Sequence, residues 1–251
     1  MKVLITGASS GIGADMARIL SKKGFDLILV ARDKKGLETI KKELGGNVKI
    51  IPIDISSTFN CMKLYNKLKK EKIDILINNA GFGVFGNFYE TNLDRELDMI
   101  DLNIKAVHTL TKVFLKDFKE RNSGYILNVA SSAAFLSGPL MGAYYATKGY
   151  VLKLTEAIHE ELRRQNSAVY VGVLCPGPVN TNFNNVAGVK FSVKAMDSEI
   201  VSEYAINQMF KRKLVIIPGI FIKISVFITR LLPRKLLLRI NYKLQKKKAD
   251  N

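Results

Sequence analysis

Lys2-Val3-Leu4-Ile5-Thr6-Gly7-Ala8-Ser9-Ser10-Gly11-Ile12-Gly13 is the stretch that decides how this 251-residue chain folds. Lys2 to Thr6 reads as a short buried strand, three glycines mark a turn, and a helical pattern of apolar residues runs on through Ile19 and Leu20. Strand, glycine turn, helix is the context that gives a glycine motif meaning. Gly7 permits the tight turn, Gly11 lets the backbone approach a pyrophosphate, and Gly13 allows the helix to pack closely on the strand. Ser9, Ser10 and Ile12 complete the turn at a helix N-terminus, whose free amides suit phosphate. Glycines also serve ordinary turns, so the motif gains its weight from the flanking pattern and from the motifs further along the chain.

Outward from it, strand and helix patterns alternate. Asp26 to Ala31 reads as the second strand, and the next residue is Arg32, with Lys34 and Lys35 just beyond. An acid there would bind the ribose hydroxyls of NAD, whereas a guanidinium suits a 2′-phosphate, so NADPH is favoured over NADH. A helix from about Lys34 to Leu44 precedes a third strand, Val48 to Ile53, closed by Asp54 and Ile55. Asp54 is placed either to accept from an adenine amine or to cap the next helix, about Asn60 to Lys70. A fourth strand, Asp74 to Ile77, ends in Asn78-Asn79-Ala80-Gly81; its small residues let a cofactor lie against the backbone, and its amides tie neighbouring strands together.

Leu93 to Phe118 has helical apolar spacing, with Asn103 inside it. An Asn there is unfavourable unless its side chain has work, such as opening the helix to a water. The strand Gly124 to Val129 leads to Ser131, and the strand Ala168 to Cys175 leads to Pro176-Gly177-Pro178-Val179-Asn180-Thr181. Between them lies Tyr144-Tyr145-Ala146-Thr147-Lys148. Residues four apart share a helix face, so Tyr144 and Lys148 present a phenol and an ammonium to one space. A cation about 4 Å away is worth up to about 4 kcal/mol at an effective dielectric near 20, enough to lower the phenol's pKa toward neutrality. Tyr145, three before Lys148, also lies on its face. Alternating strands and helices throughout predict an α/β fold built on a doubly wound parallel sheet.

Composition bounds the rest. With 47% hydrophobic residues the chain buries a full core as one large domain. The net charge is +17, and residues 211–251 contribute +11 of it, with twelve Lys/Arg against Asp250. Two cysteines, Cys61 and Cys175, make no disulfide framework, and the first residues run straight into a strand. The expectation is a cytoplasmic protein, free or peripheral on the inner face of a membrane. His108 and His159 lack partners at metal-ligand spacing, so no metal is predicted.

In this order the motifs resemble the short-chain dehydrogenase/reductase family in its short single-domain form, over roughly residues 1–190. The resemblance implies a Rossmann-type sheet of about seven strands with helices on both faces. It implies a tetrad in which Tyr144 is the general acid or base, Lys148 lowers its pKa and holds the nicotinamide ribose, Ser131 bonds the substrate oxygen, and Asn103 positions a water. The family spacing selects Tyr144 over Tyr145. Cofactor contacts are expected from Gly7, Ser9, Ser10, Gly11, Ile12, Gly13, Arg32, Asp54, Ile55, Asn79, Ala80, Gly81, Tyr144, Lys148, Pro176, Gly177, Val179 and Thr181. The implied activity is reduction of a ketone or aldehyde, on an apolar or acyl-type substrate, by an NADPH-dependent oxidoreductase. A cofactor-binding scaffold and an epimerase or dehydratase on the same framework are the rivals. Family members pair through long helices, here about 93–118 and 143–164, so a homodimer or homotetramer is expected.

Residues 1–217 then form the catalytic domain, with a mixed apolar stretch from Thr181 to about Asp197 suited to a mobile lid. Residues 218–251 are a basic amphipathic extension. Phe221, Ile224, Phe227, Ile228 and Leu231 fall on one side of a helix, and Leu236, Leu237, Ile240 and Leu244 on one side of another. Residues 218–248 suit an anionic membrane surface, the enzyme's own body or a second subunit; nucleic acid is not expected, since the tail lacks a recognised binding fold.

Overall fold

The structure, a computed structural model, describes residues 1–183 and 195–246. Seven parallel strands form one sheet: β1 (Lys2–Thr6), β2 (Asp26–Ala31), β3 (Val48–Pro52), β4 (Ile75–Asn78), β5 (Tyr125–Val129), β6 (Tyr170–Leu174) and β7 (Val215–Ile216), in the order 3-2-1-4-5-6-7. The helices are α1 (Gly11–Lys22), α2 (Lys34–Leu44), α3 (Thr58–Leu68), α4 (Leu93–Ile100), α5 (Val107–Glu120), α6 (Gly142–Arg164), α7 (Ser198–Phe210), α8 (Ile220–Thr229) and α9 (Arg234–Lys246).

Strands buried on both faces need apolar residues at every position, and β1 supplies them: Val3, Leu4 and Ile5 have no exposed surface. Val3 and Ile5 point to a core layer shared with α1, α2 and α7, whereas Leu4 points to the opposite layer, shared with α3, α5 and Leu162 of α6. Strand order reverses between β1 and β4. There the carboxyl ends of two strands part, and parallel α/β sheets bind ligands in that opening.

The stretch read as one helix over Leu93 to Phe118 is interrupted. Residues Asp101–Ala106 form a π-helical turn between α4 and α5, and Asn103 is inside it, fully buried. The amide provides the reason. Its Nδ2 donates to the Phe82 carbonyl (2.9 Å) and Thr147 Oγ1 (3.1 Å), and its Oδ1 accepts from the Phe82 amide (3.1 Å). Widening the helix by one residue per turn aims the side chain at the loop after β4.

The lid expected between Thr181 and Asp197 falls mostly on 184–194, outside the described residues. Its flanks are joined by a bridge between Val179 and Met196: the Asn180 amide donates to the Met196 carbonyl, and the Met196 amide to the Pro178 carbonyl.

Candidate active site

The first turn is built by close approach. Gly7 has φ +65, and a side chain on it would press on the Ala80 backbone at 2.8 Å; a Cβ on Gly13 would sit 2.3 Å from the Gly7 carbonyl oxygen. Thr6 and Asn79 lock this turn to the end of β4. Thr6 Oγ1 accepts from the amides of Asn79 and Ala80, and Asn79 Nδ2 donates to the carbonyls of Thr6 and Gly7. Asn78 extends the tie sideways, donating to Thr111 and to Asn128 of β5. The helix after the turn has no side-chain cap at Ser10 and no acid in its first turn, so its leading amides remain available to an anion.

A crevice of about 490 Å³ runs from this turn across the sheet's carboxyl edge. It is lined by Gly7, Ser9, Ser10, Gly11, Ile12, Arg32, Asp54, Ile55, Asn79, Ala80, Gly81, Pro176, Gly177, Val179 and Thr181, and at its other end by Ser131, Tyr144 and Lys148. Of the residues picked out in the sequence, Gly13 and Asn103 stand behind the wall, Gly13 packing the helix and Asn103 holding Phe82.

At the end beyond β2, Arg32 Nη1 lies 3.6 Å from Asp54 Oδ2, and the arginine side chain is two-thirds exposed. Asp54 caps the turn before α3, accepting from the Ser56 amide at 2.9 Å. Burial acts to raise its pKa, but the Ser56 bonds and Arg32 outweigh it and hold the carboxyl below its usual range. Asp54 therefore holds the turn ahead of α3 and does not cap the helix itself, whose N-cap is Ser57, and its carboxyl stays on the crevice wall. Asp33 caps α2 through the Gly36 amide.

At the opposite end, Lys148 Nζ donates to the Val129 carbonyl (3.0 Å) and lies 5.8 Å from the centre of the Tyr144 ring. Asn103 Oδ1 and Lys148 Nζ both close on Gly81, at 2.8 and 3.3 Å from where a Cβ would sit. Ser131 Oγ accepts from the Ala133 amide, ending β5 with a 3₁₀ turn over Ser132–Phe135. Burial pushes the Lys148 ammonium down to about 8. Burial also drives the Tyr144 phenol upward, against the smaller effect of hydrogen bonding with Ser131. The four-residue spacing reveals only the nearby cation and predicts a lowered phenol; in the folded chain desolvation dominates.

Tyr145 also lines the crevice, but α9 claims its hydroxyl, which accepts from Gln245 Nε2. His108 Nδ1 contacts the Tyr150 hydroxyl at 2.7 Å, and His159 Nδ1 lies 3.2 Å from the Val171 carbonyl, both away from the crevice. Among the described residues no three His, Cys, Asp or Glu gather as a metal site.

The sequence profile of the short chain dehydrogenases matches residues 1–190. The chain belongs to the short-chain dehydrogenase family. The mouse protein named dehydrogenase/reductase SDR family member 7 is 35% identical over 213 residues, which cover 81% of this chain and 63% of that protein; the chain thus spans under two thirds of its relative's length. A short-chain dehydrogenase from Sphingobium yanoikuyae, solved in complex with NADPH, is 32% identical with a TM-score of 0.82, covering 87% of this chain and 88% of its own. One from Burkholderia phymatum, solved in complex with NAD, is 25% identical with the same TM-score, covering 90% and 91%.

The residues of this short-chain dehydrogenase's crevice fit a nicotinamide dinucleotide: the uncapped start of α1 points donors at the place for a pyrophosphate, and the buried Lys148 stands at the far end. The apolar wall around Tyr144, formed by Phe82, Met141 and Phe183, is not evident in the sequence. Gly83 makes room for it, since a Cβ there would meet Phe183, Met141 and Tyr144 within 3.3 Å. Gly83 carries no motif, and the wall comes from three separate segments, so no local pattern marks it.

Proposed function

We propose that this protein is an NADPH-dependent carbonyl reductase acting on an apolar ketone or aldehyde, acyl-type substrates included. The observation that carries the reading is the convergence of Ser131, Tyr144 and Lys148 at one end of a crevice whose other end presents Arg32. Ser9 to Ile12 hold the pyrophosphate, Arg32 takes the 2′-phosphate, and Lys148 takes the nicotinamide ribose. When bound, the cofactor supplies the hydride.

The chain's own residues handle the proton and the orientation. Burial keeps Tyr144 protonated, which is the state an acid needs before it gives its proton to a carbonyl oxygen. Lys148 then faces a phenolate instead of a phenol, and its charge stabilises the state that forms during the reaction. Ser131 holds the substrate oxygen, Asn103 fixes the Gly81-Phe82 backbone and positions a water, and Phe82, Met141 and Phe183 exclude bulk water while receiving an apolar group.

Leu93 and Leu97 of α4, 66% and 48% exposed, sit on the helices through which a homodimer or homotetramer would form. Oxidation of NADPH and of NADH, measured against a panel of ketones and aldehydes of increasing apolar length, tests the function. Turnover with NADPH on the longer apolar carbonyls is expected. Cofactor binding without turnover on any carbonyl would favour the scaffold instead.

A further inference from the structure

The last helix sits on the body the opposite way from an ordinary amphipathic helix, and the helix before it is apolar on both its inner and its outer side. Val226 of α8 is buried, and Ile222 packs on Gly177 while Lys223 Nζ donates to the Tyr204 hydroxyl at 3.0 Å. On α9 the buried residues are polar: Asn241 Nδ2 donates to the Ser137 carbonyl at 2.7 Å, and Gln245 bonds Tyr145. The apolar stripes are left outside, with Phe221 81% exposed, Leu231 69%, Phe227 60% and Leu244 48%. Eleven of the twenty exposed large hydrophobic side chains among the described residues fall between Ile220 and Leu244. Over the same helices and their link, residues 220–246 carry seven Lys/Arg and no Asp or Glu.

We propose that the outward face of α8 and α9 docks on an anionic lipid bilayer. Exposed apolar side chains enter the boundary between headgroups and acyl chains, and the surrounding cations meet the lipid phosphates, so both features are used at once. A second copy of the chain suits the face poorly: a two-fold contact sets a patch against itself and, with Lys223 turned inward to Tyr204, would oppose six cations to six. Nucleic acid would engage the cations and leave the aliphatic residues in water. Among the described residues no helix is long and apolar enough to cross a membrane, and docking of this kind requires none. Because α9 also holds Tyr145, the docked face lies next to the wall of the crevice.

Sedimentation of the full chain with vesicles of phosphatidylcholine, with or without phosphatidylglycerol, tests this. Binding to the anionic vesicles is expected, at least about tenfold tighter than to neutral ones and weakened by salt. Phe221→Ser with Phe227→Ser removes the apolar anchor, and Lys235→Glu, Arg239→Glu and Lys243→Glu together reverse the charge. At roughly fivefold per cation, the charge variant should bind at least about a hundredfold more weakly, with its circular dichroism and NADPH affinity unchanged. Equal binding to neutral and anionic vesicles, or none, overturns the proposal. So does a Phe221→Ser, Phe227→Ser variant that breaks a homo-oligomer in sedimentation velocity while binding vesicles like the wild type; that result assigns the face to a second copy.

Discussion

Lys148 Nζ lies 5.8 Å from the centre of the Tyr144 ring, and both residues are more than nine-tenths buried. The same burial disfavours the ammonium and favours the neutral phenol. The pair rests as a strong potential cation beside a reluctant acid, an arrangement that governs activity, its pH dependence and stability together.

Tyr144→Phe is expected to lower kcat for NADPH-driven reduction by about 10²- to 10⁴-fold with little change in NADPH affinity. Tyr145→Phe should keep most of the activity, because the Tyr145 hydroxyl is engaged by Gln245 of α9. Steady-state kinetics with both variants decide it, and an inactive Tyr145→Phe beside an active Tyr144→Phe would reverse the assignment.

Reduction needs Tyr144 protonated and Lys148 charged. Burial lifts the phenol, so it sets no alkaline limit below that of the lysine, and the lysine loses its proton near pH 8. The profile of kcat/KM should be level around neutrality and fall above about pH 8, approaching tenfold per unit. A profile level to pH 10 would show that Lys148 does not govern the step.

The same lysine costs stability. Its pKa falls from the ordinary 10.5 to about 8 on folding, so between those values the unfolded chain binds more protons and stability rises with pH. This contribution is fully present above 10.5 and gone below about 8. Lys148→Met should therefore be inactive but at least as stable as the wild type at pH 7, and its advantage should shrink by on the order of 2–3 kcal/mol toward pH 10.5. Urea unfolding at both ends of that range measures the change, and a constant difference would contradict it.

Arg32 is paired only loosely with Asp54, at 3.6 Å and largely in water, so a phosphate can displace the carboxylate easily. Arg32→Asp should weaken NADPH by about a hundredfold and NADH by less than about threefold, as read by cofactor titration. Equal losses would mean that Arg32 does not read the 2′-phosphate.

At Gly13 a methyl group would meet the Gly7 carbonyl and Asn79 Nδ2 within 2.5 Å. Gly13→Ala should cost on the order of 2–3 kcal/mol in urea unfolding and loosen cofactor binding as well. Gly142→Ala, where a methyl group meets nothing within 4 Å, is the control expected to leave both unchanged.

Short-range chemistry writes itself into consecutive residues, and that much is legible in the chain. The glycine turn after β1 shows in Gly7, Gly11 and Gly13 because backbone geometry there tolerates little else, and six of the strands show in apolar runs because a sheet covered on both faces needs them. The Tyr144 and Lys148 pairing shows in a four-residue helical repeat, and Asn103 signals an irregular helix because an amide is out of place in a regular one. Folding adds whatever depends on distant segments meeting. The upward drive on the Tyr144 phenol comes from burial under Met141 and Phe183, the occupation of Tyr145 comes from a helix a hundred residues away, and the outward turn of the apolar stripe on α9 comes from polar contacts at Ser137 and Tyr145. A helical wheel separates apolar from charged faces, but which face turns inward is set by what the body offers to receive it.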